Sequence, residues 1–236
     1  MFVINLNFEY LAPYAVCFVL ALVAGYAFAW FRLNIKGMSK EYNFYVSILS
    51  FVLMLIGSKI STMCFNHGEI SFISAGFSSI GAVIGILVSL FVSALIFKDY
   101  KSNIFCSYAL SIPLLYGISK FGCFLGGCCH GIEFSGFFST KYFRDGILIG
   151  EYFPVQLCES VSFLCLFIGL LVLLKYFSEE IVVLISLSIC SFLKFAWDFM
   201  REEHVGRIIT PNQIICISIL FLCVFALIYK KKLVKN

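Results

Sequence analysis

Residues Leu11–Trp30 read Leu-Ala-Pro-Tyr-Ala-Val-Cys-Phe-Val-Leu-Ala-Leu-Val-Ala-Gly-Tyr-Ala-Phe-Ala-Trp, a run without a single charge. A helix gains about 1.5 Å per residue, so roughly 20 apolar residues cross the hydrocarbon core of a bilayer. No Lys or Arg occurs in residues 1–31. The run therefore lacks the cationic start of a cleaved secretory signal and reads as a retained helix. Six further runs of the same kind follow, which divides the chain into spans at roughly 10–31, 44–65, 76–97, 103–124, 154–176, 180–200 and 210–229.

Composition agrees with that division. Apolar residues make up 61% of the 236 positions and charged residues 13%, and the mean hydropathy is +1.01. A soluble domain would carry about 25% charge. These features predict an all-α polytopic membrane protein with about seven transmembrane helices, in one domain over residues 1–236. No linker, repeat or low-complexity segment interrupts it. The net charge of +4 comes from short clusters, so it bears on orientation; no nucleic-acid motif or long basic tract is present.

Orientation follows from the basic loops. Arg32, Lys36 and Lys40 follow the first span, Lys98 and Lys101 the third, and Lys175 the fifth; Lys230, Lys231, Lys232 and Lys235 follow the seventh. Alternate loops hold most of the cations, which predicts an outer N-terminus and a cytoplasmic C-terminus. His67 and Glu69, the segment after Gly126, and Arg201–Thr210 then fall on the outer side. Residues 126–153 are long enough for a small extracytoplasmic cap, although Tyr142 and Tyr152 also suit an interfacial belt.

The densest chemistry lies in Lys120–Gly131, Lys-Phe-Gly-Cys-Phe-Leu-Gly-Gly-Cys-Cys-His-Gly. Most of the 11 cysteines lie singly in apolar runs and read as small buried hydrophobes. Cys123, Cys128 and Cys129 are clustered, and an odd total excludes a complete disulfide framework. The cluster allows a disulfide between Cys123 and one of the pair, a thiol activated by His130 or Lys120, or packing of small residues in a re-entrant segment. Cys-x4-Cys-Cys-His is not a standard zinc spacing, so no metal is expected. Lys120 either snorkels to the interface or faces a cavity where Gly122, Gly126 and Gly127 break the helix. His67 and His204 are loop imidazoles of the ordinary kind.

Other charges also sit where lipid is expected: Lys59, Glu159, Lys194, Asp198, Arg201 and Glu202. Lys194, Asp198 and Arg201 are four and then three residues apart and share one helical face. That spacing fits an internal ladder of ion pairs. It fits better an anion groove in which Lys59, Lys120 and Arg201 hold one phosphodiester, since Arg grips phosphate with a bidentate fork.

Taken in order, six short segments resemble the prolipoprotein diacylglyceryl transferases. They are Gly57-Ser58-Lys59-Ile60, Gly76–Gly85, Lys120–Gly131, Pro154-Val155-Gln156-Leu157-Cys158-Glu159, Asp198-Phe199-Met200-Arg201-Glu202 and Pro211-Asn212-Gln213. The resemblance implies a seven-helix enzyme of the bacterial inner membrane with an outward-facing site. It implies transfer of diacylglycerol from phosphatidylglycerol to the lipobox cysteine of an exported precursor, without a cofactor. On this reading His130, Lys120, Cys128, Cys129 and Arg201 are the catalytic candidates. Lys59, Cys123, Gln156, Glu159, Asp198, Glu202 and Gln213 would hold the substrate. The chain departs from the family pattern at Lys120 for Arg, Cys123 and Gly126 for Asn, Cys128 for Glu, and Ile80 for the helix-three His. The fold transfers across those changes; the reaction could be the family's own, or another thiol-dependent lipid modification. A lipid- or solute-handling protein without catalysis is the alternative, and a thiol–disulfide role a minor one.

Overall fold

The computed structural model describes residues 1–5, 11–65, 71–72 and 78–235. His67, Glu69 and Gly76 lie outside the described residues, as do the side chains of Ile80 and of Lys230–Lys235. The elements in order are β1 (Phe2–Asn5), α1 (Leu11–Ile35), α2 (Lys40–Phe65), α3 (Ser79–Ile96), α4 (Lys101–Leu125), β2 (Thr140–Arg144), β3 (Ile147–Tyr152), α5 (Val155–Leu173), α6 (Glu179–Asp198) and α7 (Pro211–Lys235). Among the described residues, six helices are long and apolar enough to cross a membrane. The span expected at 76–97 is the exception, because α3 has 18 residues and its apolar stretch is Gly81–Ile96.

The chain forms two compact units, Tyr26–Tyr108 and Met1–Gly25 with Ala109–Asn236. In the first, α2 and α3 cross so closely that a Cβ on Gly81 would lie 2.2 Å from the Gly57 carbonyl oxygen. One on Gly85 would lie 2.0 Å from that of Leu53. Gly81 and Gly85 form the small-xxx-small spacing by which lipid-embedded helices pack, van der Waals contact replacing the hydrophobic drive. Ala29, Leu33, Met38, Val46, Leu90, Ile104 and Tyr108 form this unit's core.

The second unit holds α5, α6, α7 and a three-stranded sheet that the all-α expectation omitted. β1 runs parallel to β2, with Phe2 opposite Thr140, and β2 is antiparallel to β3. β2 and β3 lie in the segment read as a possible cap. Thr140–Arg144 and Ile147–Tyr152 are rich in aromatic and β-branched residues, and Asp145-Gly146 turns between them with φ of 52° and 78°. Asp-Gly with both φ positive is a common hairpin turn, because it matches the strand twist. Tyr142 points inward and is fully buried.

Helix ends in this unit are set by local chemistry. α4 continues unbroken through Gly122 to Leu125, so the break expected beside Lys120 does not occur there. Gly122 serves close packing instead: its Cβ would meet that of Cys17 at 2.7 Å. The helix stops one turn later, where Cys128 N–H donates to the Cys123 carbonyl and Gly127 N–H to that of Phe124. Gly127, with φ of 62°, supplies the left-handed residue this C-cap requires. α7 starts with Thr210-Pro211-Asn212-Gln213. Thr210 Oγ1 accepts from Gln213 N–H at 3.2 Å, and Gln213 Oε1 accepts from Thr210 N–H at 3.0 Å. That reciprocal pair is a capping box.

Candidate active site

Glu159, early in α5, has no solvent-exposed surface. An isolated carboxylate in such a place would be costly, so it must be paired and hydrogen-bonded. Tyr116 OH donates to its Oε1 at 3.0 Å and Lys194 Nζ at 3.2 Å. Arg201 Nη2 donates to Oε2 at 2.6 Å, with Lys120 Nζ at 3.5 Å. Tyr116 and Lys120 come from one face of α4, four residues apart; Lys194 comes from α6 and Arg201 from the chain just after it. The two lysine ammonium groups lie 5.3 and 5.7 Å from the centre of the Tyr116 ring, whose face attracts cations.

The cluster has more positive than negative charge. Three cations face Glu159 and Asp198, and Asp198 Oδ1 is 3.8 Å from Arg201 Nε. The other Asp198 oxygen accepts the Thr210 hydroxyl, which docks α7 on α6. Burial works against the Arg201 charge, and Glu159, Tyr116, Cys129 and Asp198 together more than offset it, so the Arg201 pKa lies above its ordinary value. Arg201 Nε, Gln156 Oε1 and Gln213 Nε2 are buried without a hydrogen-bond partner. Polar atoms left unpaired in a buried setting mark a place where a ligand can complete them.

Next to this cluster lies the glycine-cysteine loop. Gly131 is threaded between two backbones, since a Cβ there would lie 2.5 Å from the Phe153 carbonyl oxygen and 2.7 Å from that of Met200. Only glycine permits that approach. The resulting bonds, Gly131 N–H to the Phe153 carbonyl and Ile132 N–H to that of Met200, tie the loop to the start of α5 and the end of α6. Gln156 Nε2 donates to the Cys128 carbonyl at 2.9 Å and lies 3.4 Å from Tyr142 OH.

The Sγ atoms of Cys123, Cys128 and Cys129 all lie within 4.8 Å of one another, and none forms a disulfide. Cys129 adopts φ of 55°, which is uncommon outside glycine. Contacts with the Cys123 and then the Cys128 thiol hold the Cys129 pKa well below the usual thiol range. Cys128 is pushed up, chiefly through its contact with Cys123. His130 stacks on Tyr152 with ring centres 4.0 Å apart, and its Nδ1 is 3.1 Å from Glu202 Oε2, without the alignment of a hydrogen bond.

The structure thus gathers Lys120, Glu159, Asp198 and Arg201 into one charged cluster, with Gln156 holding the cysteine loop. Gln213 and Asp198 also have a structural part, as capping residue and as acceptor for the cap. Of the ladder expected along α6, the Asp198–Arg201 rung forms and the Lys194–Asp198 rung does not. Among the described residues no ion pair within 4 Å joins Lys194 to Asp198, because Lys194 turns to Glu159. Lys59 belongs to the other compact unit, where its Nζ donates to the Phe72 carbonyl at 3.1 Å and lies 5.6 Å from the Phe72 ring centre. The third cation on Glu159 is Lys194. Sequence reasoning missed Tyr116 and Thr210. The four-residue spacing of Tyr116 and Lys120, and Thr-x-x-Gln before an apolar run, were the available signals.

A search of curated proteins finds no significant match. A family model described as prolipoprotein diacylglyceryl transferase, in contrast, matches residues 2–229, nearly the whole chain and the whole of the charged cluster and cysteine loop. Together with the apolar helices, that match places the chain, a multi-pass membrane protein, in the prolipoprotein diacylglyceryl transferase family.

Proposed function

We propose that this chain transfers a diacylglyceryl group from phosphatidylglycerol to the lipobox cysteine of an exported precursor, at the outer face of the bacterial inner membrane. The observation that carries this reading is the convergence of three cations on Glu159, two of them, Lys120 and Arg201, buried. Lys120, Lys194 and Arg201 form a cluster suited to an anionic phosphodiester and to the charge that develops as it leaves.

In the reaction, the acceptor sulfur forms a bond to the terminal glyceryl carbon as that carbon's bond to the phosphate oxygen breaks. The electron pair leaves with glycerol phosphate, and Arg201 and Lys120 meet its added charge. The thiol proton passes to His130, whose ring is held between Tyr152 and Glu202. The orientation that puts residues 126–153 outside is supported by the basic loops.

The test is a reconstituted assay with phosphatidylglycerol and a lipobox peptide, read by mass spectrometry for the diacylglyceryl thioether. Wild type should form the product. Arg201→Ala should lower the rate by roughly 100-fold or more, the scale of losing one preorganised charge-stabilising donor. Arg201→Lys, which keeps the charge and loses the fork, should fall between them. Unmodified peptide with well-folded wild type would mean that the fold serves lipid or solute binding without this transfer.

A further inference from the structure

The anion cluster leaves three thiols unused. Cys123 is buried in the last turn of α4, Cys128 is partly buried and Cys129 is exposed. Three thiols in one small volume are not needed for packing: Cys17, Cys190, Cys216 and Cys223 show how this chain buries a cysteine singly. They are brought together by special backbone. Gly127 and Cys129 both take positive φ, so the chain reverses after α4 and returns two thiols to the Cys123 side chain. A zinc pattern read along the sequence assumes regular spacing and has no place for such a turn, which is why Cys-x4-Cys-Cys pointed to none.

We propose that Cys123, Cys128 and Cys129 bind a thiophilic divalent d10 ion, zinc, through three thiolates, with a fourth position open to the acceptor thiol. The donor set fits. At about 2.3 Å per Zn–S bond, tetrahedral geometry separates sulfurs by about 3.8 Å. The thiols here lie within 4.8 Å, so shifts of about 1 Å, within reach of rotamer adjustment, close the site. Burial is graded from Cys123 inward to Cys129 outward, so the uncovered side of the triangle faces the loop surface, where a peptide can approach. Three thiolates around Zn2+ carry one net negative charge, and a fourth makes two. Lys120, one turn before Cys123, and Arg201 supply nearby compensation.

This inference rests on the transfer reading above and names how the acceptor is activated. Coordination removes the thiol proton, which passes to His130, the residue after Cys129. The bound thiolate keeps a lone pair for the glyceryl carbon. The S–C bond forms, the C–O bond to phosphate breaks, and glycerol phosphate leaves. The thioether product is neutral and a weaker ligand than a thiolate, so it departs and the fourth position reopens. Nothing is oxidised or reduced.

The experiment uses the full chain in detergent, purified with zinc and without chelator, and separates metal from turnover. Zinc by mass spectrometry should be one ion per chain in wild type and in the control Cys165→Ser. It should fall by roughly tenfold or more in Cys123→Ser and in Cys128→Ser/Cys129→Ser, with elution volume unchanged. With cobalt in place of zinc, wild type should show thiolate charge-transfer absorption and tetrahedral visible bands. A lipobox peptide should shift those bands and its Cys→Ser analogue should not. That pattern supports the site whether or not a thioether forms, so failure of the transfer reading is registered separately by the product assay. Eleven titratable free thiols with no bound metal, a mass two hydrogens short from a disulfide, or zinc retained in the double variant would each overturn it. Bound cobalt whose spectrum ignores the thiol peptide would overturn the open position.

Discussion

Replacing Glu159 by Gln keeps its volume and its Tyr116 hydrogen bond but removes the charge on which three cations converge. Glu159 is completely buried, with Arg201 at 2.6 Å, Lys194 at 3.2 Å and Lys120 at 3.5 Å. Removing one partner of a buried ion pair costs about 3–5 kcal/mol, because the other charge is left uncompensated in a low dielectric. For a chain of this size each kcal/mol moves Tm by about 2–4 °C. The expected fall is therefore about 6–20 °C, read by intrinsic fluorescence during heating in detergent. Glu202→Gln is the control. Its carboxylate, 56% exposed, pairs with His130 at the surface, and such pairs contribute about 0–1 kcal/mol. Adding Arg201→Met to Glu159→Gln should recover part of the loss, since fewer cations then stay buried without a partner. Equal small shifts for Glu159→Gln and Glu202→Gln would refute the claim that a buried carboxylate organises this cluster.

Four further outcomes are expected. Gly85→Ala should lower stability by about 1–3 kcal/mol in a denaturant titration, because its Cβ would strike the Leu53 backbone. Gly169→Ala, with open space in α5, should raise it by about 0.5–1 kcal/mol. Gly131→Ala should detach the cysteine loop from Phe153 and Met200; maleimide labelling of Cys128 should rise while the helix content by circular dichroism holds. In the sheet, the Ser139 hydroxyl donates to Glu151, which holds that carboxyl below its ordinary pKa. A lowered folded pKa contributes stability that is present above the unfolded value of about 4.3 and is lost as pH falls through the folded one. Ser139→Ala should therefore be less stable than wild type at neutral pH, and the difference should disappear in acid.

The rough positions of the apolar helices were legible because transfer of side chains into lipid is a local, nearly additive property of each run; among the described residues six of them, not seven, are long enough to cross. Some loop structure was equally local and was passed over. Asp145-Gly146 between Thr140–Arg144 and Ile147–Tyr152 is a hairpin signal, and Thr210-x-x-Gln213 before an apolar run is a capping box. What could not be read along the chain was that β1 at the N-terminus would pair with β2, some 138 residues later in register from Phe2 to Thr140.

Sequence by itself determined a membrane protein of stacked apolar helices, six short segments that resemble one transferase family, and a suspicious cluster of thiols and charges. Tertiary structure decided which charges meet. Helical spacing offered Lys194 to Asp198, but a fully buried carboxylate on α5 draws the nearest cations in space, while Asp198 is satisfied by the Thr210 hydroxyl. The thiols follow the same logic: their approach depends on two positive φ angles and on Gly131 threading between Phe153 and Met200. Hydrophobicity is summed along a segment, whereas ion pairs and sulfur clusters depend on distances of a few ångströms between segments far apart in the chain, and only the folded backbone sets those.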